Sequence, residues 1–105
     1  MMQIILLFAL VFSAVLYAFQ YAIFKRKGNP QAAGSLSFTV IFAMLAFLVF
    51  KEFKGASFLL YLIPAIGLLV GILQFRDSDF PKFLNVISLA VHVLQLSLVV
   101  SEQLL

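Results

Sequence analysis

Four long apolar runs alternate with short islands of charge, and no other feature of this chain restricts its fold so strongly. The islands are Lys25-Arg26-Lys27, Lys51 to Lys54, Arg76 to Lys82, and Glu102. The runs between them cover roughly 4–24, 31–50, 56–75 and 82–101. A membrane-crossing helix needs about 20 mainly apolar residues, with a working range of about 17–25. All four runs meet that length. The expectation is an all-α integral membrane protein with a single transmembrane domain over residues 1–105.

Composition points the same way. The chain is 65% hydrophobic and 10% charged, against about 45–50% and about 25% in an ordinary soluble domain. At 105 residues it is too short to hide that much apolar surface inside itself, so lipid must cover much of it. Met1-Met2-Gln3-Ile4 lacks the basic flank of a cleaved signal peptide, and the first run reads as a retained span.

Turn chemistry marks the connections. Gly28 suits the position just past a helix end, Asn29 suits an N-cap and Pro30 a first helical residue. Ser78 or Asp79 can cap the last helix, with Pro81 in its first turn, and Gly55 can close the middle loop. Connections this short force successive helices to run antiparallel as neighbours. The expected architecture is therefore an up-down-up-down four-helix bundle with short loops.

Lys and Arg counts set the orientation. Lys25, Arg26 and Lys27 of the first loop fall on the same side as Arg76 and Lys82 of the third; Lys51 and Lys54 fall opposite. This predicts loops 1 and 3 in the cytoplasm and both termini outside; the small size and economy of the chain point to a bacterial cytoplasmic membrane. The Lys25-Arg26-Lys27 triplet reads as a topology determinant that can also touch lipid headgroups.

The polar residues inside the runs are patterned. Asn85, Ser88, His92 and Gln95 recur at helical spacing and line one face of helix 4, with Glu102 extending the phase. Such a stripe is costly against lipid and must face protein or a wet cavity. Helix 3 carries a matching packing face of Tyr61, Pro64, Gly67, Gly71 and Gln74. Gly67 and Gly71 form a small-xxx-small pair that lets another backbone approach.

Aligning helices 3 and 4 as a hairpin puts Gln74 level with Asn85, Pro64 with His92, and Tyr61 with Gln95. Pro64 frees the Leu60 carbonyl, and Gln95 or His92 is the expected donor to it. Helix 1 contributes Ser13, Tyr17 and Gln20, and by depth Tyr17 and Gln20 fall in the cytoplasmic half with Ser35, Thr39, Gln74, Asn85 and Ser88. That grouping serves either interhelical bonding or a polar vestibule.

Function is narrowed chiefly by exclusion. With no cysteine, thiolate chemistry and thiolate metal sites are out. The charge islands do not make the wide basic face of a nucleic-acid binder. No nucleophile–base pair or paired intramembrane carboxylates are present, so the chain does not read as an enzyme. No cofactor or metal is expected. His92 is the one titratable group deep in a span and is a functional candidate on that ground alone.

Length and span count are similar to those of the small multidrug resistance transporters. Their embedded Glu in the first helix and Trp in the third have no counterpart here: helix 1 has no acid and the chain no Trp. The leading expectation is a non-enzymatic accessory, stabilising or regulatory subunit of a larger membrane protein or envelope machine. Its partners would be the bilayer and a membrane protein or further copies of itself. Docking would use small residues: Ala9, Ser13 and Ala14 on helix 1, and Ala33, Gly34, Ala43 and Ala46 on helix 2. The alternative is a small oligomeric transporter or channel built on the polar stripe around His92.

Overall fold

The computed structural model describes residues 2–51, 57–76 and 80–104, with side-chain surroundings over 4–51, 58–76 and 80–101. The described residues form four helices: α1 (Met2–Arg26), α2 (Ala32–Phe50), α3 (Ser57–Gln74) and α4 (Lys82–Leu104). No strand occurs among the described residues. The whole measures 43 × 20 × 19 Å along its principal axes.

The turn after α1 follows from Gly28, whose φ of 69° lies in the left-handed region that suits glycine. The Asn29 N–H donates to the Phe24 carbonyl at 2.8 Å and the Gly28 N–H to that of Lys25 at 3.2 Å. These are the two bonds of a Schellman ending, which satisfies carbonyls the helix would otherwise leave bare. Asn29 does not cap α2 as expected. Its Oδ1 accepts from the Gln31 N–H at 2.9 Å, closing a turn before the helix, and α2 starts at Ala32 with Gln31 in the cap position. Pro81 lies just before α4 rather than in its first turn. The expected roles of Gly55, Ser78 and Asp79, and the side chain of Glu102, lie outside the described residues.

Among the described residues three helices are long and apolar enough to cross a membrane: Ile4–Arg26, Ala32–Phe50 and Lys82–Ser101. α3 offers a shorter apolar stretch, Phe58–Gln74. The hydroxyls of α2 turn back onto their own helix. Ser35 donates to the Gln31 carbonyl at 3.2 Å, Ser37 to Ala33 at 3.0 Å and Thr39 to Ser35 at 2.9 Å. Each is thereby satisfied without a neighbouring helix, which is why they need not share a face.

Apolar packing centres on α1 and α2. Leu6, Leu10 and Tyr17 form one buried cluster with Phe42, Leu45, Ala46, Val49 and Val99, and Leu60, Tyr61 and Ile63 of α3 pack against it. α4 and the residues just before it meet α1: Phe80 against Phe24, His92 against Tyr17, and Gln95 against Ala9 and Ser13. Positions along α4 rise as those along α1 fall. α3 meets α4 at Gly71 with Asn85 and at Gly67 with His92.

Ala9, Ser13 and Ala46, expected on an outer docking face, are buried inside. Their small size serves contact between helices of this chain. Ala33, Gly34 and Ala43 do face outward.

Candidate functional site: a buried hydrogen-bond chain around His92

α4 presents Asn85, Ser88, His92 and Gln95 inward, and all four are buried. His92 and Gln95 are fully so, at 0% exposure. Buried amides and imidazoles need partners, because an unmade bond at such a position costs about 1–3 kcal/mol. α1 supplies them. The His92 Nε2 lies 2.9 Å from the Tyr17 hydroxyl and its Nδ1 3.0 Å from Gln95 Oε1. Gln95 Nε2 in turn donates to the Ala9 carbonyl at 2.9 Å and to the Ser13 hydroxyl at 2.7 Å.

The direction of every bond in this chain is determined. The Ala9 carbonyl can only accept, so the Gln95 nitrogen must face it and the Gln95 oxygen must face His92. That oxygen can only accept, so His92 Nδ1 carries a proton. In the neutral ring Nε2 is then an acceptor, and the Tyr17 hydroxyl donates to it. Ser88 adds a second hydroxyl beside Tyr17. The chain runs Tyr17 to His92 to Gln95 to α1 with a single polarity, and it needs no charge.

Aromatic rings clamp the same level. Tyr17 stacks on Phe38 and Phe42 at centroid distances of 4.9 and 5.5 Å, and Phe42 lies 5.2 Å from the His92 ring at 20°. Gly67 closes the other side. A Cβ there would come within 2.7 Å of His92 Nε2 and 3.0 Å of Cδ2. Glycine is thus required for α3 to approach the ring so closely.

The helix 3 residues divide in use. Asn85 Nδ2 donates to the Gly71 carbonyl at 2.8 Å. Pro64 is buried, while Tyr61 packs against the apolar cluster. Gln74 reaches instead to Gln31, the cap residue before α2, at 3.5 Å, long for a hydrogen bond. The expected donation to the Leu60 carbonyl is not made. Both N–H groups of Gln95 are spent on α1, and His92 has committed both ring nitrogens.

Lys25, Arg26 and Lys27 are exposed, and Lys25 Nζ sits 5.5 Å from the centre of the Tyr21 ring. No group of three or more metal-type ligands comes together among the described residues.

The sequence alone sets His92 level with Pro64 and Tyr17 with the Asn85 level. The signal was there: Ser13, Tyr17 and Gln20 lie on one face of α1 at helical spacing, matching the face of α4. Phe38 and Phe42 carried no signal, being two of 13 Phe. One member of that α1 face stands apart. Gln20 is 2% exposed, and its Nε2 is buried without a hydrogen-bond partner.

Comparison with known protein families, curated proteins and solved structures finds no match to this chain.

Proposed function

We propose that this chain is an integral membrane protein of four antiparallel spans. We further propose that it acts without catalysis, as an accessory, stabilising or regulatory subunit of a larger membrane assembly. The membrane reading rests on the exterior. Phe8, Met44, Phe47, Phe50, Phe58 and Phe83 are each at least 60% exposed, and only 39%, 28% and 28% of the three span windows are buried. A soluble monomer rarely exposes a contiguous apolar patch above a few hundred Å². The 43 Å long axis also suits a bilayer of about 40–45 Å including headgroups. The up-down-up-down order is supported by the pairings of Phe24 with Phe80 and Gly71 with Asn85.

One observation carries the accessory reading: the polar groups of the His92 chain are consumed by one another. Tyr17 and Gln95 engage both ring nitrogens, and Gly67 and Phe42 flank the ring. A transport site needs polar groups to spare for its cargo. Here the bonds join α1 to α4 and leave the His92 ring no polar atom for a cargo, so a partner is met by the outer surface of the helices.

A photo-crosslinking side chain at Val40 or Met44, both exposed on α2, tests this in the native membrane. Efficient crosslinking to one membrane protein is the expected result. Crosslinks to this chain alone, with transport by the purified protein that His92→Ala abolishes, would replace this reading by the transporter.

A further inference from the structure

His92 is held where a charge would have no counterpart. Its side chain is 0% exposed. Phe42 and Tyr17 lie against the ring at centroid distances of 5.2 and 5.8 Å. α3 closes the edge at Nε2, where a Cβ on Gly67 would come within 2.7 Å. The groups that face the ring are the Tyr17 hydroxyl from α1, the Phe42 ring from α2, Gly67 from α3 and the Gln95 amide from α4 itself. Of these only Tyr17 is titratable, and none is charged. The charged side chains among the described residues, Lys25, Arg26, Lys27, Lys51, Arg76 and Lys82, are all exposed. The acids, Glu52, Asp77, Asp79 and Glu102, lie outside the described residues, each ten or more positions along the chain from Tyr17, Phe42, Gly67 and His92.

Nε2 accepts from Tyr17 at 2.9 Å and holds the one ring lone pair that a proton can take. A proton arriving there from solvent makes both ring nitrogens donors. The Tyr17 oxygen must then accept, and its own proton must turn to the Ser88 hydroxyl beside it. The hydrogen bonds survive this reversal in number, but the new charge finds no partner. A buried charge with neither counter-ion nor water costs more than a few intramembrane hydrogen bonds return. The contact that yields is the one to α1, because Tyr17 holds Nε2 directly and Ala9 and Ser13 hold Gln95. We propose that His92 is an acid-sensitive latch: protonation of Nε2 parts α1 from α4 at the level of Tyr17, His92 and Gln95 and admits water to the ring. The latch goes beyond the accessory reading and requires no partner.

The chain has no cysteine, so spin labels can be placed by Val11→Cys on α1 and Val93→Cys on α4, both exposed positions. Double electron–electron resonance on the full chain in a neutral detergent then reads the separation of the two helices. Between about pH 8 and about pH 5, above the ordinary carboxylate range, a second, longer distance is expected. The released ring titrates as an ordinary histidine, so below about pH 6.5 the ratio of open to closed should rise about tenfold per pH unit, the slope of one proton. His92→Gln keeps a donor for Gln95 and an acceptor for Tyr17 but cannot titrate, and its distance should not respond to pH. Nitrogen-15 NMR of the parent chain should show the His92 imidazolium forming as the longer distance appears. A distance that ignores pH in the parent chain overturns the proposal. So does a response that persists in His92→Gln, which assigns it to the loop carboxylates. If that variant does not fold, the parent chain decides alone: an imidazolium formed at unchanged distance, or a longer distance without the imidazolium, overturns the latch.

Discussion

Gln20 and Gln95 are buried to nearly the same degree, 2% and 0% exposed, and they lie in two regions that use polarity in opposite ways. Around Gln95 both amide hydrogens and the oxygen are bonded, to Ala9, Ser13 and His92. Around Gln20 the amide nitrogen has no hydrogen-bond partner. Burial alone therefore tells nothing about what a polar side chain contributes. A satisfied amide ties helices together and specifies their register, whereas an unsatisfied one carries a desolvation penalty with no return.

The largest expected effect separates the two regions directly. Gln95→Leu removes three hydrogen bonds and leaves the His92 Nδ1–H bare. At an average of about 0.6 kcal/mol for an intramembrane bond, the bundle should lose about 2 kcal/mol in detergent unfolding. An unchanged unfolding midpoint would remove the basis for treating this level as a structural tie.

Next comes Gly67→Ala. The added methyl meets the His92 ring, which cannot retreat because both nitrogens are bonded and Phe42 lies against its face. Overpacking of this kind costs about 1–3 kcal/mol. Gly71→Ala is a built-in control: its closest contact, 2.6 Å, is the end of the flexible Leu89 side chain. The Gly67 variant should be the more damaged of the two by thermal unfolding.

Tyr17→Phe keeps the ring stack and deletes the hydroxyl, leaving His92 Nε2 without its donor. A loss of about 1 kcal/mol is expected. Nitrogen-15 NMR of His92 sharpens the same point: in the parent chain the proton should reside on Nδ1, and finding it on Nε2 would reverse the assigned polarity.

The smallest effect is the most diagnostic. Gln20→Leu removes a buried amide nitrogen that has no hydrogen-bond partner, so stability should change by less than about 0.5 kcal/mol or rise slightly. If it falls as far as in Gln95→Leu, the contrast between the two glutamines fails.

Much of this was legible in the order of residues. Apolar runs between charge islands define helices, because a stretch of about 20 apolar residues has few other uses. The turn at Gly28 was legible because a left-handed residue after a helix narrows the choice to glycine or asparagine. The inward face of α4 was legible because Asn85, Ser88, His92 and Gln95 repeat with the helix.

Partner choice was not. Periodicity reports which residues of a helix share a face but not which neighbour that face meets. Depth matching along the chain paired Gln95 with α3, next in line, whereas the three-dimensional packing turned it to Ala9 and Ser13 of α1, distant in sequence. The same packing brought Gly67 against the His92 ring. These choices depend on interhelical distances of a few ångströms, set by side-chain volume on all the helices at once, and only the assembled tertiary structure determines them.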